Sequence, residues 1–203
     1  MKKGSTPAPV IVKKLTVRPV TPERWPDLEA VFQARGCSIP RGCWCMFYRR
    51  SGGSGWQVGG SRAKTNRADL KALVDAGPPP GLIAYQGKVP VGWVSLGPRE
   101  EFKRLERSPV MKPVDDKPVW SIICFVVPSA HRRQGVAHAL LQGAIDYARK
   151  RGGTLLEAYP VDKAGRQSDE SMWFGSKSMY DRAGFKEVAR RKPARPVVRR
   201  RVR

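Results

Sequence analysis

Midway along the chain an apolar run gives way to a long amphipathic segment, and that junction narrows the folds open to this sequence more than any other feature. Val119 to Val127 is the most apolar stretch and is rich in β-branched residues, the composition of a strand buried on both faces. From about Gln134 to Lys150, apolar residues recur at helical spacing through Val136, Leu140, Leu141, Ala144, Ile145 and Ala148, and Gly152-Gly153 closes the helix. Thr154 to Ala158 is a second core strand. Strand, helix, strand in that order predicts a βαβ unit with two parallel strands.

The junction itself reads Val127-Pro128-Ser129-Ala130-His131-Arg132-Arg133-Gln134-Gly135-Val136-Ala137. Glycine at the helix start allows close backbone approach to a ligand. The first-turn N–H groups have no partner inside the helix, and the helix dipole is positive there. Together these make a phosphate site, and Arg132 and Arg133 add charge at the same place. On the junction alone, an ordinary strand-to-helix turn with solvated arginines stays open beside this reading.

The remaining elements flank this unit. Residues 1–13, broken by Pro7 and Pro9, read as a flexible basic arm, and residues 14–203 as one domain. Leu15 to Arg18 is a short strand. Thr21-Pro22 opens a helix carrying Leu28, Val31 and Phe32, which Gly36 ends. Arg35 to Ser61 is expected to be irregular. A second helix follows from about Asn66 and stops at Gly77-Pro78. Gly81 to Tyr85 and Val91 to Leu96 predict a hairpin. Pro98 to Pro118 is a long charged connection of the kind that is often functional. A short helix from about Ser176 to Ala183 and strands at Phe185–Ala189 and Pro196–Arg201 complete the chain.

Composition excludes several classes. At 203 residues, 40% of them hydrophobic, the chain can bury a core without staples. No apolar run spans a bilayer, and the basic start lacks the apolar stretch of a secretory signal, so a cytoplasmic location is expected. The four cysteines, Cys37, Cys43, Cys45 and Cys124, do not read as a disulfide framework. Cys-x-Cys with one further Cys is no zinc pattern, and only His131 and His138 could complete it, so no metal is expected. The net charge of +22 attracts polyanions, whether nucleic acid, anionic lipid or a phosphorylated cofactor.

The pattern Arg132-x-x-Gly135-x-Ala137, between an apolar strand and an amphipathic helix, resembles the pyrophosphate-binding motif of the Gcn5-related N-acetyltransferase (GNAT) superfamily. A second hallmark follows in order: Met179-Tyr180-Asp181-Arg182-Ala183-Gly184-Phe185 is similar to that family's Tyr-x-x-x-Gly-Phe segment. The resemblance implies an α/β fold with a mixed central sheet of about six to seven strands, about four helices, and parallel central strands that splay apart. It also implies acetyl-CoA as co-substrate. Phe125, Val126 and Val127 would pair through their backbone with the pantetheine arm. Arg132, Arg133, Gln134, Gly135, Val136 and Ala137 would hold the diphosphate. An oxyanion donor is expected from a backbone N–H near Val126.

Roles for side chains follow from the same resemblance. Tyr180 corresponds to the general acid that protonates the departing thiolate; a core tyrosine with a bonded hydroxyl is the other reading. The glutamate that many members place on the central strand is missing between Val119 and Val127. Glu157, on the adjoining strand, is then the best carboxylate base, with a salt bridge to an arginine as its equal alternative; Asp115, Asp116 and Asp162 are lesser candidates. Cys124 reads as a small hydrophobe more readily than as a covalent acetyl acceptor. Arg41, Trp44, Tyr48, Phe47 and Trp56 lie where the family builds its acceptor pocket, although core packing under a loop accounts for them equally well.

The resulting expectation is an N-acetyltransferase that moves an acetyl group from acetyl-CoA to a primary amine of a small molecule, by direct attack in a ternary complex. Acetylation of a protein N-terminus or lysine is one alternative. A basic nucleic-acid-associated protein on the same scaffold is another, with weak contact through the basic termini. The expected state is monomer or homodimer, off the membrane. Acceptor identity is not written in the motifs.

Overall fold

A computed structural model describes residues 14–51, 61–165 and 172–202. The basic arm of residues 1–13 and Trp56 therefore lie outside the described residues. Seven strands form one sheet in the order β1-β2-β3-β4-β5-β7-β6, with β1 Leu15–Pro19, β2 Gly81–Gln86, β3 Val89–Pro98, β4 Trp120–Val126, β5 Leu155–Ala158, β6 Lys186–Arg190 and β7 Pro196–Arg201. Only β4 and β5 pair in parallel; the other neighbours are antiparallel. The α-helices are α1 Trp25–Gln33, α2 Ser38–Cys43, α3 Ser61–Ala76, α4 Lys103–Glu106, α5 Val136–Lys150 and α6 Lys177–Arg182. None of the described helices is long and apolar enough to cross a membrane.

Each face of the sheet buries its own core. On one face Leu140, Leu141, Ala144 and Ala148 of α5 pack on Val94, Leu96, Ile122 and Leu156, which is the stripe that the helical spacing of α5 predicts. On the other, Leu28 and Phe32 of α1 and Leu70 of α3 cover Ile83 and Trp93. A third cluster, with Phe102, Leu105, Ile123, Tyr159 and Phe174, lies under the β3–β4 connection. The close approach of α5 to β3 depends on Gly92, where a Cβ atom would come within 2.7 Å of Val136 Cγ1. That contact seats the first turn of α5 against the sheet.

Two helices beyond the expected four arise from stretches too short to show periodicity. α2 contains Pro40 and Gly42, and α4 has 4 residues inside the charged connection. α3 starts at Ser61 rather than near Asn66, because its first turn carries little apolar signal. α5 starts at Val136 rather than Gln134, because Arg133 (φ 60°) and Gly135 (φ 78°) are left-handed and cannot belong to the helix. The last strand, β7, sits between β5 and β6. This placement draws the basic C-terminal segment into the sheet, where Val197 and Val198 are fully buried.

Candidate active site

The β4–β5 ladder is short. Trp120, Ser121 and Ile122 pair with Leu156, Glu157 and Ala158, and pairing stops where Tyr159-Pro160 follows β5, proline having no N–H to donate. β4 runs on to Val126 paired with β3 but without β5 beside it, so the parallel strands diverge there. The open side of β4 is met by the segment Met172–Gly175, whose Trp173 carbonyl accepts a hydrogen bond from the Phe125 N–H at 2.6 Å. A cleft of about 170 Å³ lies at this divergence, walled by Cys37, Ile39 and Pro40 on one side, by Phe125 to Val127, and by Trp173 and Gly175. Of the backbone expected to receive a pantetheine arm, Phe125, Val126 and Val127 all line it.

At one end the cleft runs into the start of α5. Gly135 is the N-cap in the left-handed region, and no side chain caps the helix, so the first-turn amides remain open to an anion. A Cβ atom on Gly135 would meet nothing within 4 Å: the residue borders free space rather than packing against protein. Arg133, Gly135, Val136, Ala137, His138 and Arg182 line this basic recess. Arg132 is committed differently from the expectation of a charge aimed at phosphate. Its Nε donates to the Val127 carbonyl at 3.0 Å and its Nη2 to the Gly36 carbonyl at 2.8 Å, tying the α1–α2 turn to the end of β4. The Gln134 side chain donates to the Ala130 carbonyl at 2.8 Å. What remains for a diphosphate is chiefly backbone amide and the Arg133 and Arg182 side chains. This donor set fits the coenzyme A diphosphate.

Tyr180 is completely buried, and its hydroxyl has no hydrogen-bond partner. It stands edge-on to Phe185 (ring centroids 5.0 Å) and to Phe125 (6.5 Å). It lies behind the cleft wall: Gly175 and Phe125 line the cleft, and a Cβ on Gly175 would touch Tyr180 Cε2 at 3.3 Å. Burial, then the neighbouring Cys124, push the Tyr180 phenol far above its ordinary value, so it keeps its proton at neutral pH. A buried hydroxyl without a partner is costly, and the orphan is explained if a ligand supplies the partner.

Glu157 is held by the salt bridges that the sequence left as its second reading. Arg99 Nη1 donates to Oε1 at 2.5 Å, Arg199 Nε to Oε2 at 2.7 Å, and the Tyr159 hydroxyl to Oε1 at 2.6 Å. Arg199 also donates to both oxygens of Asp115 at 2.8 Å, and its guanidinium holds the Asp115 carboxyl below the usual range. Glu157 is 0% exposed and pairs with Ser121 in the closed part of the ladder; it is not among the cleft residues. Asp162 is taken by Arg190 at 2.7 Å. No carboxylate lines the cleft among the described residues.

Of the residues expected at the acceptor pocket, Arg41, Trp44 and Tyr48 separate. Trp44 is 2% exposed and stacks between Phe32 (centroids 4.7 Å) and Trp25 (5.8 Å); it is core, placed there by its left-handed backbone (φ 47°) at the end of α2. Arg41 points outward and donates to the Gln33 carbonyl at 2.9 Å. Tyr48 does reach a recess, an apolar one shared with Ile39, Pro40, Phe47, Cys124 and Trp173. Sequence reasoning missed Ile39, Pro40 and Trp173, which carry no motif and reach the cleft only through the fold. The thiols of Cys43 and Cys45 are raised well above their ordinary values, by hydrogen bonds with Cys45 and Cys124 respectively and by burial, which disfavours the thiolate at both. Among the described residues no group of His, Cys, Asp and Glu is arranged to hold a metal ion.

Burial pushes the Tyr48 phenol up to about 12 from 10.0. As pH rises, the unfolded chain then loses that proton before the folded one, so stability is complete below the unfolded value and declines as pH climbs toward the folded one. Tyr159 and Tyr180 shift the same way through burial. Urea unfolding is expected to show a lower midpoint at about pH 11 than at about pH 9; equal midpoints would contradict these burials.

The acetyltransferase (GNAT) family model matches residues 44–185. This chain belongs to the GNAT family. Solved structures agree in fold. An acetyltransferase from Thermus thermophilus superposes with a TM-score of 0.53 at 16% identity, covering 94% of this chain and 99% of its own. A mosquito arylalkylamine N-acetyltransferase like 5b gives 0.57 at 10%, covering 93% and 100%. The Salmonella typhimurium protein yncA, solved with its cofactor acetyl-CoA, gives 0.53 at 15%, covering 93% and 94%. No curated protein matches the sequence.

Proposed function

We propose that this GNAT protein is an acetyl-CoA-dependent N-acetyltransferase acting on a primary amine of a small molecule through a ternary complex. The observation that carries the reading is the continuity of the site: uncapped amides at Gly135 open into a cleft that follows β4 to the divergence, with the orphan hydroxyl of Tyr180 behind its wall. The mosquito arylalkylamine N-acetyltransferase like 5b shares only the fold with this chain, and the name it carries refers to a small primary amine.

When bound, acetyl-CoA supplies an activated acetyl thioester. Val136 and Ala137 amides, with Arg133 and Arg182, hold the diphosphate end. Arg132 keeps the α1–α2 turn against β4, so the cleft has a rigid second wall. The Phe125 N–H is the β4 amide shown to face the divergence, and it is engaged by the Trp173 carbonyl. For this amide to serve a thioester oxygen, Met172–Gly175 must give way. The Tyr180 hydroxyl delivers its proton to the leaving sulfur, a transfer suited to a phenol that stays protonated. With no carboxylate on the cleft wall among the described residues, the proton of the attacking amine leaves through water, and Glu157 serves the fold instead.

Tyr180→Phe tests the acid. Turnover is expected to fall about 10²-fold or more, with the coenzyme A dissociation constant unchanged. Folding stability should hold or rise slightly, because the variant deletes an unpaired buried hydroxyl. Thiol release from acetyl-CoA, calorimetry with coenzyme A and thermal unfolding read the three quantities; normal turnover removes Tyr180 from the mechanism. For the transferase reading as a whole, the decisive result is thiol release across a panel of amines, and absence of any heat with coenzyme A defeats it.

A further inference from the structure

The cleft has a second exit, and its chemistry is unlike the first. The basic recess at α5 shares Val127, Arg132 and Ala137 with the cleft. The cleft shares Ile39, Pro40 and Trp173 with the apolar recess. That recess in turn shares Phe47 and Tyr48 with a fourth, lined also by Arg104, Arg107 and Ser108. Shared lining residues set the four side by side, and read together they describe a trough from the Gly135 amides, past the β4–β5 divergence, over an apolar floor, to two arginines from α4 and the turn after it.

The far arginines are unspent. Arg49, Arg50, Arg67, Arg99, Arg190 and Arg199 each pair with a carboxylate. Arg104 and Arg107 pair with none among the described residues. The Arg104 guanidinium lies over the Phe47 ring at 4.0 Å, and the backbone N–H of the residue donates to the Tyr48 carbonyl at 3.1 Å. An ordered guanidinium without an anion, at the mouth of an apolar recess, is a receptor for a carboxylate. Between this mouth and the divergence no acidic side chain lines the trough among the described residues, so none of the described side chains there favours a second positive charge on the acceptor.

Resting on the transferase reading above, we infer that the acceptor is a small amine whose apolar or aromatic body ends in a carboxylate. The amine lies at the divergence, the body on Ile39, Pro40 and Phe47, and the carboxylate at Arg104 and Arg107. Polyamines and lysine-rich peptides are poor acceptors for the same reason.

The test compares acceptors that differ only in a carboxylate at the end remote from the amine, hexylamine with 6-aminohexanoate and phenethylamine with 4-(2-aminoethyl)benzoate, beside spermidine and a lysine peptide, by thiol release from acetyl-CoA. The carboxylated member of each pair is expected to have the higher kcat/KM by roughly ten- to hundred-fold, the range of a hydrogen bond to a charged group. The double variant Arg104→Gln/Arg107→Gln should collapse that ratio by raising KM for the carboxylated amine at constant kcat, and Arg104→Lys/Arg107→Lys should restore part of it. Coenzyme A calorimetry on each variant verifies the fold and the donor site. Preference for the member without a carboxylate, for spermidine or for the peptide overturns the inference, as does a ratio that the double variant leaves intact. Bound coenzyme A with no turnover on any member of the panel also counts against it. Loss of coenzyme A binding in the unaltered protein instead defeats the transferase reading itself.

Discussion

Gly135→Asp is expected to eliminate measurable binding of coenzyme A, a fall of at least ~100-fold in affinity, while the protein remains folded. Gly135 has φ 78° and no atom within 4 Å of where a Cβ would stand. A side chain there enters open space in front of the α5 amides, and its carboxylate takes the position and sign of the ligand it must exclude. The strain of a non-glycine residue in the left-handed region adds about 1–2 kcal/mol, small beside a stability of roughly 5–15 kcal/mol for a domain. Gly135→Ala separates the two effects, since it carries the strain without the charge and is expected to weaken binding far less. Calorimetry with coenzyme A and thermal unfolding of both variants are the measurements. Undiminished affinity in Gly135→Asp would mean that the diphosphate sits elsewhere.

Glu157→Ala carries the largest expected effect on stability, a loss of about 3–5 kcal/mol, read by urea unfolding. The carboxylate receives Arg99 on one oxygen and Arg199 on the other, with the Tyr159 hydroxyl completing its shell. Removing it leaves two guanidiniums, each no more than 9% exposed, without the charge between them and with only the more exposed Asp115 and Glu106 as acidic partners. The loss should come from this stranded charge rather than from any special strength of the bridge. Replacing all three ionic residues together by apolar ones of similar size should therefore cost much less than the single change. A base at this position predicts the reverse pattern for Glu157→Gln: turnover lost, stability retained. The ion-pair arrangement predicts lower stability and near-normal turnover of the folded fraction.

How far the site could be read from the chain differs residue by residue. Gly135 and the helix behind it were legible because a glycine-led helix start is local, set by a few consecutive residues. Tyr180 was legible through the short spacing to Gly184-Phe185, although its missing partner was not. Glu157 stood as an even choice, because a carboxylate in an apolar strand announces burial and not the identity of what neutralises it. Trp44 was placed toward the acceptor side by its sequence neighbours, yet it stacks in the core with Phe32 and Trp25, since the left-handed residues after α2 turn the chain inward. Arg104 and Arg107 lay unmarked in a charged connection that had been singled out only for its length.

What the amino-acid order determines alone is therefore the βαβ unit, its glycine-led helix start and the tyrosine before Gly184-Phe185, each encoded within a few residues by periodicity, backbone freedom and spacing. Tertiary structure decided the rest. Arg99 and Arg199 reach Glu157 from 58 and 42 residues away, and Asp115 meets Arg199 across 84, because β7 inserts beside β5. The recesses lined by Pro40, Cys124 and Arg104 likewise form only after α2, β4 and α4 are brought together. Burial and ion pairing act between whatever surfaces the topology places in contact, and no local pattern in the chain specifies those neighbours.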